Sequence, residues 1–445
     1  MKLAYVLAVN LFLFEGFITQ CESAGGSEKP STSANQQLLP DNVLEEIFFK
    51  SGLETTKKVA RDQIRSGLAG KKIFKDRIID LYPTRWGNSE TEERFQLGDH
   101  IIYIYSYNRI VSIFEEFGDV INRVKISFEF LDEDIRHKIN ENIIKKYSKN
   151  WTELYISAPN FLEIIDEISN GEGRIRFPNV KKFTFSGVGH EGANFGGSYD
   201  LNSIFPKLES LTLYYTMIFI HYSKMEINAN CLKNVTKLKK LQLDIAPDSF
   251  EVQDLKNMLA RNKQITDFGF TITNNTDTLP SVVKYLKNLQ TLKIQIDGTE
   301  FLDHISDETI FNIPTLKRLS ISGGQDDFRT IDFINCFKKV ETVDMISSTD
   351  SIRSDIGRLI HAKEFITTLV KIANLQEILQ NFDEKRTNLK WFKILNVDKS
   401  EYRDYNNEIT KINQELKKAE KPTWKPSYFN WNIRGSGHMV LTREN

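Results

Sequence analysis

The side chains most often used in catalysis are present, but they form no recognisable catalytic pattern. The histidines lie at positions 100, 137, 190, 221, 304, 361 and 438, and none belongs to a His-Glu-x-x-His sequence. The three cysteines, Cys21, Cys231 and Cys336, are too widely spaced for a paired metal-ligand motif. No Gly-x-Ser-x-Gly sequence occurs. We therefore expect no catalytic residue, no metal and no cofactor, and a chain that is not itself an enzyme.

Two glycine-rich segments also fail to match a phosphate-binding loop. The segment 67–72 (GLAGKK) lacks both the spacing and the Ser or Thr of such a loop. The segment 187–197 (GVGHEGANFGG) does not fit Gly-x-Gly-x-x-Gly with a helix after it. We interpret the second segment as a long loop.

One apolar pattern recurs along most of the chain and predicts a series of strands. The pattern is apolar-x-x-apolar-x-apolar, and its copies begin at Ile121, Trp151, Val180, Leu208, Leu238, Ile265, Leu289, Leu316, Val340 and Leu389. Up to Val340 the copies are about 24 to 30 residues apart. Helical spacing between copies, as in Asp254–Ala260, predicts helices between the strands. Between 340 and 389 we expect a longer helical segment in place of one strand.

The polar residues inside this pattern are the candidate binding surface. Side chains alternate across a strand, so the residues between the apolar positions share one face. We predict that a target protein binds there, through Lys182, Thr184, Ser210, Thr212, Lys240, Gln242, Thr291, Lys293, Arg318 and Ser320. This set is polar and lightly basic, which suits a partner with an acidic face. The alternative is a solvated surface that binds no partner.

The recurring pattern resembles the leucine-rich repeat, whose strand reads L-x-x-L-x-L. The resemblance implies an α/β fold in which residues 100–400 form a leucine-rich-repeat solenoid, or horseshoe, with the strands on its concave face. The Asn or Cys common after the strand is absent from all ten copies. The sequence is therefore most similar to the irregular, helix-rich repeats that accompany F-boxes. The alternative is an ordinary α/β domain with strands about 27 residues apart.

The first residues resemble a secretory signal peptide. Lys2 precedes an apolar run from Leu3 to Phe14, which is shorter than the roughly 20 residues needed to cross a membrane. We predict a signal peptide over 1–21 and a flexible linker over 22–37, with cleavage after Ser23 fitting equally well. A buried N-terminal helix or strand is the alternative. We expect no membrane span elsewhere.

The segment after the linker has one apolar stripe. Its residues are Leu39, Pro40, Val43, Leu44, Ile47 and Phe48, with the proline at a position that suits a helix start. The segment resembles the opening of an F-box, which implies a small helical module over 38–85 whose six stripe residues bind a Skp-family adaptor of a cullin–RING ubiquitin ligase. The stretch 59–64 lacks the Cys and Trp usual in that family. A plain helical cap is the alternative.

Composition limits the remaining possibilities. The 445 residues include 59 Lys+Arg and 60 Asp+Glu, a net charge of −1 that argues against a general nucleic-acid binder. Three cysteines exclude a disulfide-dense secreted scaffold. At the C-terminal end, residues 401–445, we expect a charged helix and a closing hairpin.

The combination of signal peptide, F-box-like segment and repeats resembles the secreted F-box/leucine-rich-repeat effectors of gall midges, of the Hessian fly salivary-gland type. The resemblance implies a secreted protein that works in the host-cell cytoplasm. It would recruit a host Skp adaptor and present a host protein on the repeat face. Two alternatives stay open. One is a secreted binding or decoy protein without ligase coupling, and the other is an endogenous intracellular F-box protein.

Overall fold

The structure is a computed structural model that describes part of the chain. The described residues are 65–81, 95–97, 101–104, 106–169, 177–188, 193–196, 199–216, 225–244, 251–272, 278–296, 302, 311–323, 328–346, 359, 361–368, 375–376, 378–379, 388–398, 401–429 and 436–444. The predicted signal peptide, the linker and the six stripe residues from Leu39 to Phe48 lie outside these ranges.

Strands dominate the described residues. In chain order they are β1 Ile78–Leu81, β2 Phe95–Leu97, β3 Ile101–Ile104, β4 Arg123–Ser127, β5 Glu153–Ala158, β6 Lys182–Val188, β7 Ala193–Phe195, β8 Ser210–Thr216, β9 Met225–Ile227, β10 Lys240–Asp244, β11 Asp267–Ile272, β12 Thr291–Ile296, β13 Arg318–Gly323, β14 Thr342–Ile346, β15 Glu364–Thr368, β16 Trp391–Asp398, β17 Thr423–Phe429 and β18 Ser436–Glu444. Sixteen of them form one sheet in the order β2-β3-β1-β4-β5-β6-β8-β10-β11-β12-β13-β14-β15-β16-β18-β17. β7 and β9 form a separate pair.

Most of this sheet is parallel. All neighbours from β3 through β1 to β16 run parallel, and only β2 at one edge and the β17–β18 hairpin at the other are antiparallel. Pro426 lies in β17, which is an edge strand, where a residue without an N–H group is tolerated.

The apolar residues of the recurring pattern form the buried face of the sheet. Phe183, Leu211, Leu241, Phe268 and Leu292 are in register across five neighbouring strands and are at most 1% exposed. Because strand side chains alternate, the polar residues between them project from the opposite face. The apolar positions therefore decide which side chains are available for binding.

A repeated backbone contact fixes this register. The carbonyl oxygen of Asn122 accepts hydrogen bonds from the N–H groups of Thr152 and Glu153, at 2.7 and 3.1 Å. The carbonyl of Thr152 in turn accepts from Lys181 and Lys182. The same arrangement recurs to the start of β16, so each strand begins at the same level as its neighbour.

The helices are short and join the strands. They are α1 Arg65–Asp76, α2 Tyr107–Phe117, α3 Glu133–Ile139, α4 Lys145–Tyr147, α5 Phe161–Ser169, α6 Leu201–Ile204, α7 Val252–Arg261, α8 Thr278–Val283, α9 Phe328–Asn335 and α10 Tyr402–Lys418. Their buried side chains belong to the same hydrophobic cluster as the apolar face of the sheet. Within the described residues, no helix is long and apolar enough to cross a membrane.

The predicted fold class is wrong. The described strands form one large, mostly parallel α/β sheet with few long helices, and not a leucine-rich-repeat solenoid. The apolar pattern locates strands, but a spacing of about 24 to 30 residues suits any parallel sheet whose strands are joined by crossover connections. The α/β domain that the sequence left as the alternative agrees with this architecture.

The predicted helical module over 38–85 is also wrong in its described part. α1 ends at Asp76, and the next residues form β1, which pairs with β3 and β4 inside the large sheet. Ile79 and Leu81 alternate with Asp80 and are completely buried, which is the period of a strand and not of a helix. The apolar pattern does not predict this strand, because its first pattern position is occupied by Asp76.

Residues 364–368, inside the longer helical segment predicted between 340 and 389, form a strand instead. β15 pairs with β14 and β16, and Phe365 is in register with Val343 and Phe392. Its other two pattern positions are Ala362 and Thr367, which are small or polar although both are buried. The strand was missed because these residues do not read as apolar.

Candidate protein-binding face

Two rows of side chains run across the polar face of the sheet. The first polar row, read across neighbouring strands, is Arg123, Glu153, Lys182, Ser210, Lys240, Asp267, Thr291, Arg318, Thr342, Glu364 and Trp391. The second polar row lies two residues further along each strand and is Asp80, Lys125, Tyr155, Thr184, Thr212, Gln242, Gly269, Lys293, Ser320, Asp344, Ile366 and Lys393.

The structure places all ten predicted target-binding residues in these rows. Five lie in the first row and five in the second, on β6, β8, β10, β12 and β13, and β11 lies between β10 and β12. Ser320 is buried, while Lys182 and Arg318 are exposed and the other seven are half-buried. They therefore form one continuous surface, and their role in binding stays a prediction.

A shared carboxylate organises one side of this surface. Glu153 accepts a hydrogen bond from Arg123 Nε at 3.1 Å and one from Lys182 Nζ at 2.7 Å. The pKa of Glu153 is lowered: burial acts to raise it, but the contacts with Lys182 and Arg123 outweigh burial. This group carries two cations and one anion, so it leaves a positive excess.

A second ion pair lies at the start of the second polar row. Lys125 Nζ is 2.8 Å from Asp80 Oδ2, and the Asp80 side chain is 1% exposed. Burial raises the pKa of Asp80, against the opposing effect of Lys125. Glu129 lies nearby, accepts a hydrogen bond from Ser157 Oγ at 2.8 Å, and also has its pKa raised by burial. These carboxylates were not singled out from the sequence, because Asp80 fell in the region predicted to be a helical module.

A third ion pair lies at the opposite end of the ten predicted target-binding residues. The Nε and Nη2 atoms of Arg318 each lie 2.6 Å from Asp344 Oδ2. The Asp344 side chain is 9% exposed, and burial raises its pKa despite the guanidinium. The contact crosses from one strand to the next, so only the register of β13 and β14 reveals it.

The centre of the face holds cations without ion pairs. Lys240 and Lys293 form no salt bridge within the described residues. Burial lowers the pKa of Lys240, and the positive charges of Lys293 and Lys182 lower it further. Lys240 therefore lies close enough to each of the other two ammonium groups to be repelled by it.

Two carboxylates in the same area are held by neighbouring polar groups. Asp267 accepts a hydrogen bond from Thr266 Oγ1 at 2.8 Å. Asp244 accepts one from Gln242 Nε2 at 2.6 Å, and burial raises its pKa. Both carboxylates attract Lys240 at longer range.

The far end of the first polar row is aromatic. Trp391 is 41% exposed and is the one large apolar side chain that is exposed within the described residues. Its neighbour in register is Glu364, which accepts a hydrogen bond from Thr342 Oγ1 at 3.1 Å. Exposed tryptophans are frequent anchors in protein interfaces, so this end extends the candidate surface.

Other chemistry is sparse in the part of the chain that the structure describes. There is no group of three or more His, Cys, Asp or Glu side chains arranged to hold a metal ion there. Cys231 and Cys336 are buried and form no disulfide within the described residues. No protein-family model matches the chain, and a comparison with curated proteins gives no match either.

Proposed function

We propose that this chain is a non-catalytic protein-binding protein that holds its target on the polar face of the sheet. The observation that supports the proposal is the pair of polar rows, in which Lys240 and Lys293, which form no salt bridge within the described residues, share one surface with the exposed Trp391. Interfaces of this kind combine aromatic anchors with charged groups that select the partner.

The face is suited to binding because its charges are held at fixed positions. The backbone contacts at the start of each strand set the register, and the ion pairs orient the cations. Groups that are already ordered lose less conformational entropy on binding. A partner therefore meets a surface of defined charge pattern.

Capture from a plant-leaf extract tests this binding. The bait is the full chain, compared with a face variant, K182Q/K240Q/K293Q, and a control variant, K233Q/K263Q/K287Q. The three control lysines are exposed and lie in the turns that precede strands, outside both polar rows, and the net charge changes equally. We expect at least one protein that the wild type and the control retain and the face variant loses. Equal capture by all three baits would refute binding on this face.

We further propose that the N-terminal segment couples the bound target to a ubiquitin ligase. The support is the resemblance of Leu39, Pro40, Val43, Leu44, Ile47 and Phe48 to the opening of an F-box. On this proposal the protein is a secreted effector of the kind found in gall midges, acts in the host-cell cytoplasm, and recruits a host Skp-family adaptor.

A pull-down with a purified plant Skp adaptor tests the coupling. The full chain should retain the adaptor, and L44D/F48D should lose it, because charges in the apolar stripe would oppose burial. Leu38 precedes the motif, so L38D/N42D provides a variant with the same added charge. Equal retention by the wild type and L44D/F48D would contradict the adaptor site. No retention by the wild type would leave a secreted binding protein without ligase coupling.

A further inference from the structure

Three lysines mark a stripe across the centre of the polar face. Lys182 lies on β6, Lys240 on β10 and Lys293 on β12. One strand separates the first two in the sheet, and one strand separates the second two. Since neighbouring strands lie about 4.8 Å apart, Lys182 and Lys240 are separated by roughly 10 Å across the sheet. Lys293 lies two residues further along its strand than the residue in register with Lys240, so the separation of Lys240 and Lys293 is roughly 12 Å.

Short hydroxyl side chains fill the spaces between these lysines. Thr184, Ser210, Thr212 and Thr291 project from the same face, and their side chains form no hydrogen bond within the described residues. Hydroxyl and ammonium groups can both donate to anionic oxygens. Lys182 already donates to Glu153, whereas Lys240, Lys293 and these hydroxyl groups donate no side-chain hydrogen bond within the described residues and can donate to a partner.

Gly269 leaves the second polar row without a side chain on β11, the strand between Lys240 and Lys293. Gly269 lies between Gln242 and Lys293 and has no side chain, and a Cβ there would lie 3.2 Å from both Gln242 Cγ and Lys293 Cβ. The adjacent carboxylate of Asp267 is in the first row, where it accepts from Thr266. A partner crossing from Lys240 to Lys293 passes over β11 between Asp267, which is in register with Lys240, and Gly269, which is in register with Lys293.

We infer that this stripe binds an acidic α-helix that lies across the strands and places a carboxylate on each lysine. The inference rests on the proposed function, because it specifies the partner of the same face. An α-helix rises 1.5 Å per residue, so residues seven apart share a face and are about 10.5 Å apart. An extended chain brings side chains to one face about every 6.7 or 13 Å, which fits the lysine spacing less well.

Charge supports the same partner. Burial lowers the pKa of Lys240, and repulsion by the positive charges of Lys293 and Lys182 lowers it further. A helix carrying carboxylates at this spacing would relieve that repulsion. Its acidic stripe would also avoid Asp244, which is half-buried and held by Gln242.

Fluorescence anisotropy with designed peptides tests the inference. The probe is a fluorescein-labelled, alanine-rich helix with glutamates at every seventh residue, which form one stripe. The matched probe has the same composition with glutamates at every fifth residue, which spreads them around the helix. Measurements use the full chain at about 50 mM salt, where screening is limited.

We expect the striped peptide to bind the wild type more tightly than the spread peptide. The variant K182Q/K240Q/K293Q should weaken this binding about tenfold, because three partly exposed ion pairs are lost. The control K233Q/K263Q/K287Q should change it by less than about twofold. Equal affinity for the two peptides, or equal effects of the two variants, would overturn the inference.

The outcome separates this inference from the proposed function. If neither peptide binds but the extract contains a protein whose capture depends on the stripe lysines, the acidic helix is the wrong partner and the face still binds protein. If neither the peptides nor any protein depends on these lysines, both proposals fail.

Discussion

Asn262 offers a direct test of how the centre of the face is held in place. This side chain is completely buried at the end of α7. Its Nδ2 donates to the carbonyls of Val235 and Met258, at 2.8 and 3.0 Å, and its Oδ1 accepts from the N–H of Leu238 at 3.0 Å. It thereby joins the turn before β10 to the turn before β11, next to Lys240.

Replacing this residue with alanine leaves two backbone groups without partners. The carbonyl of Val235 and the N–H of Leu238 have no other hydrogen bond within the described residues. The carbonyl of Met258, in contrast, still accepts a hydrogen bond from the backbone N–H of residue 262. Each unsatisfied buried group costs about 1–3 kcal/mol, so we expect N262A to lower the free energy of unfolding by about 3 kcal/mol.

Urea unfolding followed by circular dichroism at 25 °C measures this change. The control is N257A in the same helix, where an exposed side chain accepts one hydrogen bond from Gln253, and we expect a change within about 0.5 kcal/mol. A loss below about 1 kcal/mol for N262A would show that the turns do not depend on this contact, and the reasoning would be refuted.

Three further predictions concern the sheet. Burial raises the pKa of Asp344, so the contribution of this carboxyl group to the free energy of unfolding is present below its ordinary pKa and is lost as the pH rises through its folded-state pKa. The free energy of unfolding of the wild type should show this loss relative to D344N, and parallel pH profiles of the two proteins would contradict it. K240Q should change the unfolding free energy by less than about 0.5 kcal/mol, because this ammonium has no ion pair to lose, and a larger loss by urea titration would give Lys240 a structural role. W424A should lower the free energy of unfolding by about 3–5 kcal/mol and W391A by about 1 kcal/mol, because Trp424 is 2% exposed and Trp391 is 41% exposed. Similar losses for the two variants in urea titrations would contradict this difference in burial.

The sequence predicts strands well where all three pattern positions are strongly apolar. Leu208, Leu211 and Leu213 are such a set, and β8 contains the last two. The pattern does not predict β1, because its first pattern position is the exposed Asp76. It does not predict β15 either, because the buried pattern positions 362 and 367 are Ala and Thr, whose burial depends on neighbouring strands. Spacing alone also could not decide between a solenoid and one large parallel sheet.

The sequence predicts which residues lie on the candidate surface, but it does not predict which of their charges are paired. Alternation along a strand placed Lys182, Lys240 and Lys293 on one face. The pairing of Glu153 with two cations and of Arg318 with Asp344 crosses between strands, so it requires the register. Only the structure shows that Lys182 is paired with Glu153, whereas Lys240 and Lys293 form no salt bridge within the described residues.

Photo-crosslinking tests most directly whether a target lies on the polar face. The full chain would carry p-benzoylphenylalanine at Thr212, in the second polar row, or at Lys287, in an exposed turn outside both rows. Each form is irradiated with a protein whose capture depends on the stripe lysines. Our account predicts a crosslinked product from position 212 and none from position 287. Crosslinking from position 287 alone would contradict it.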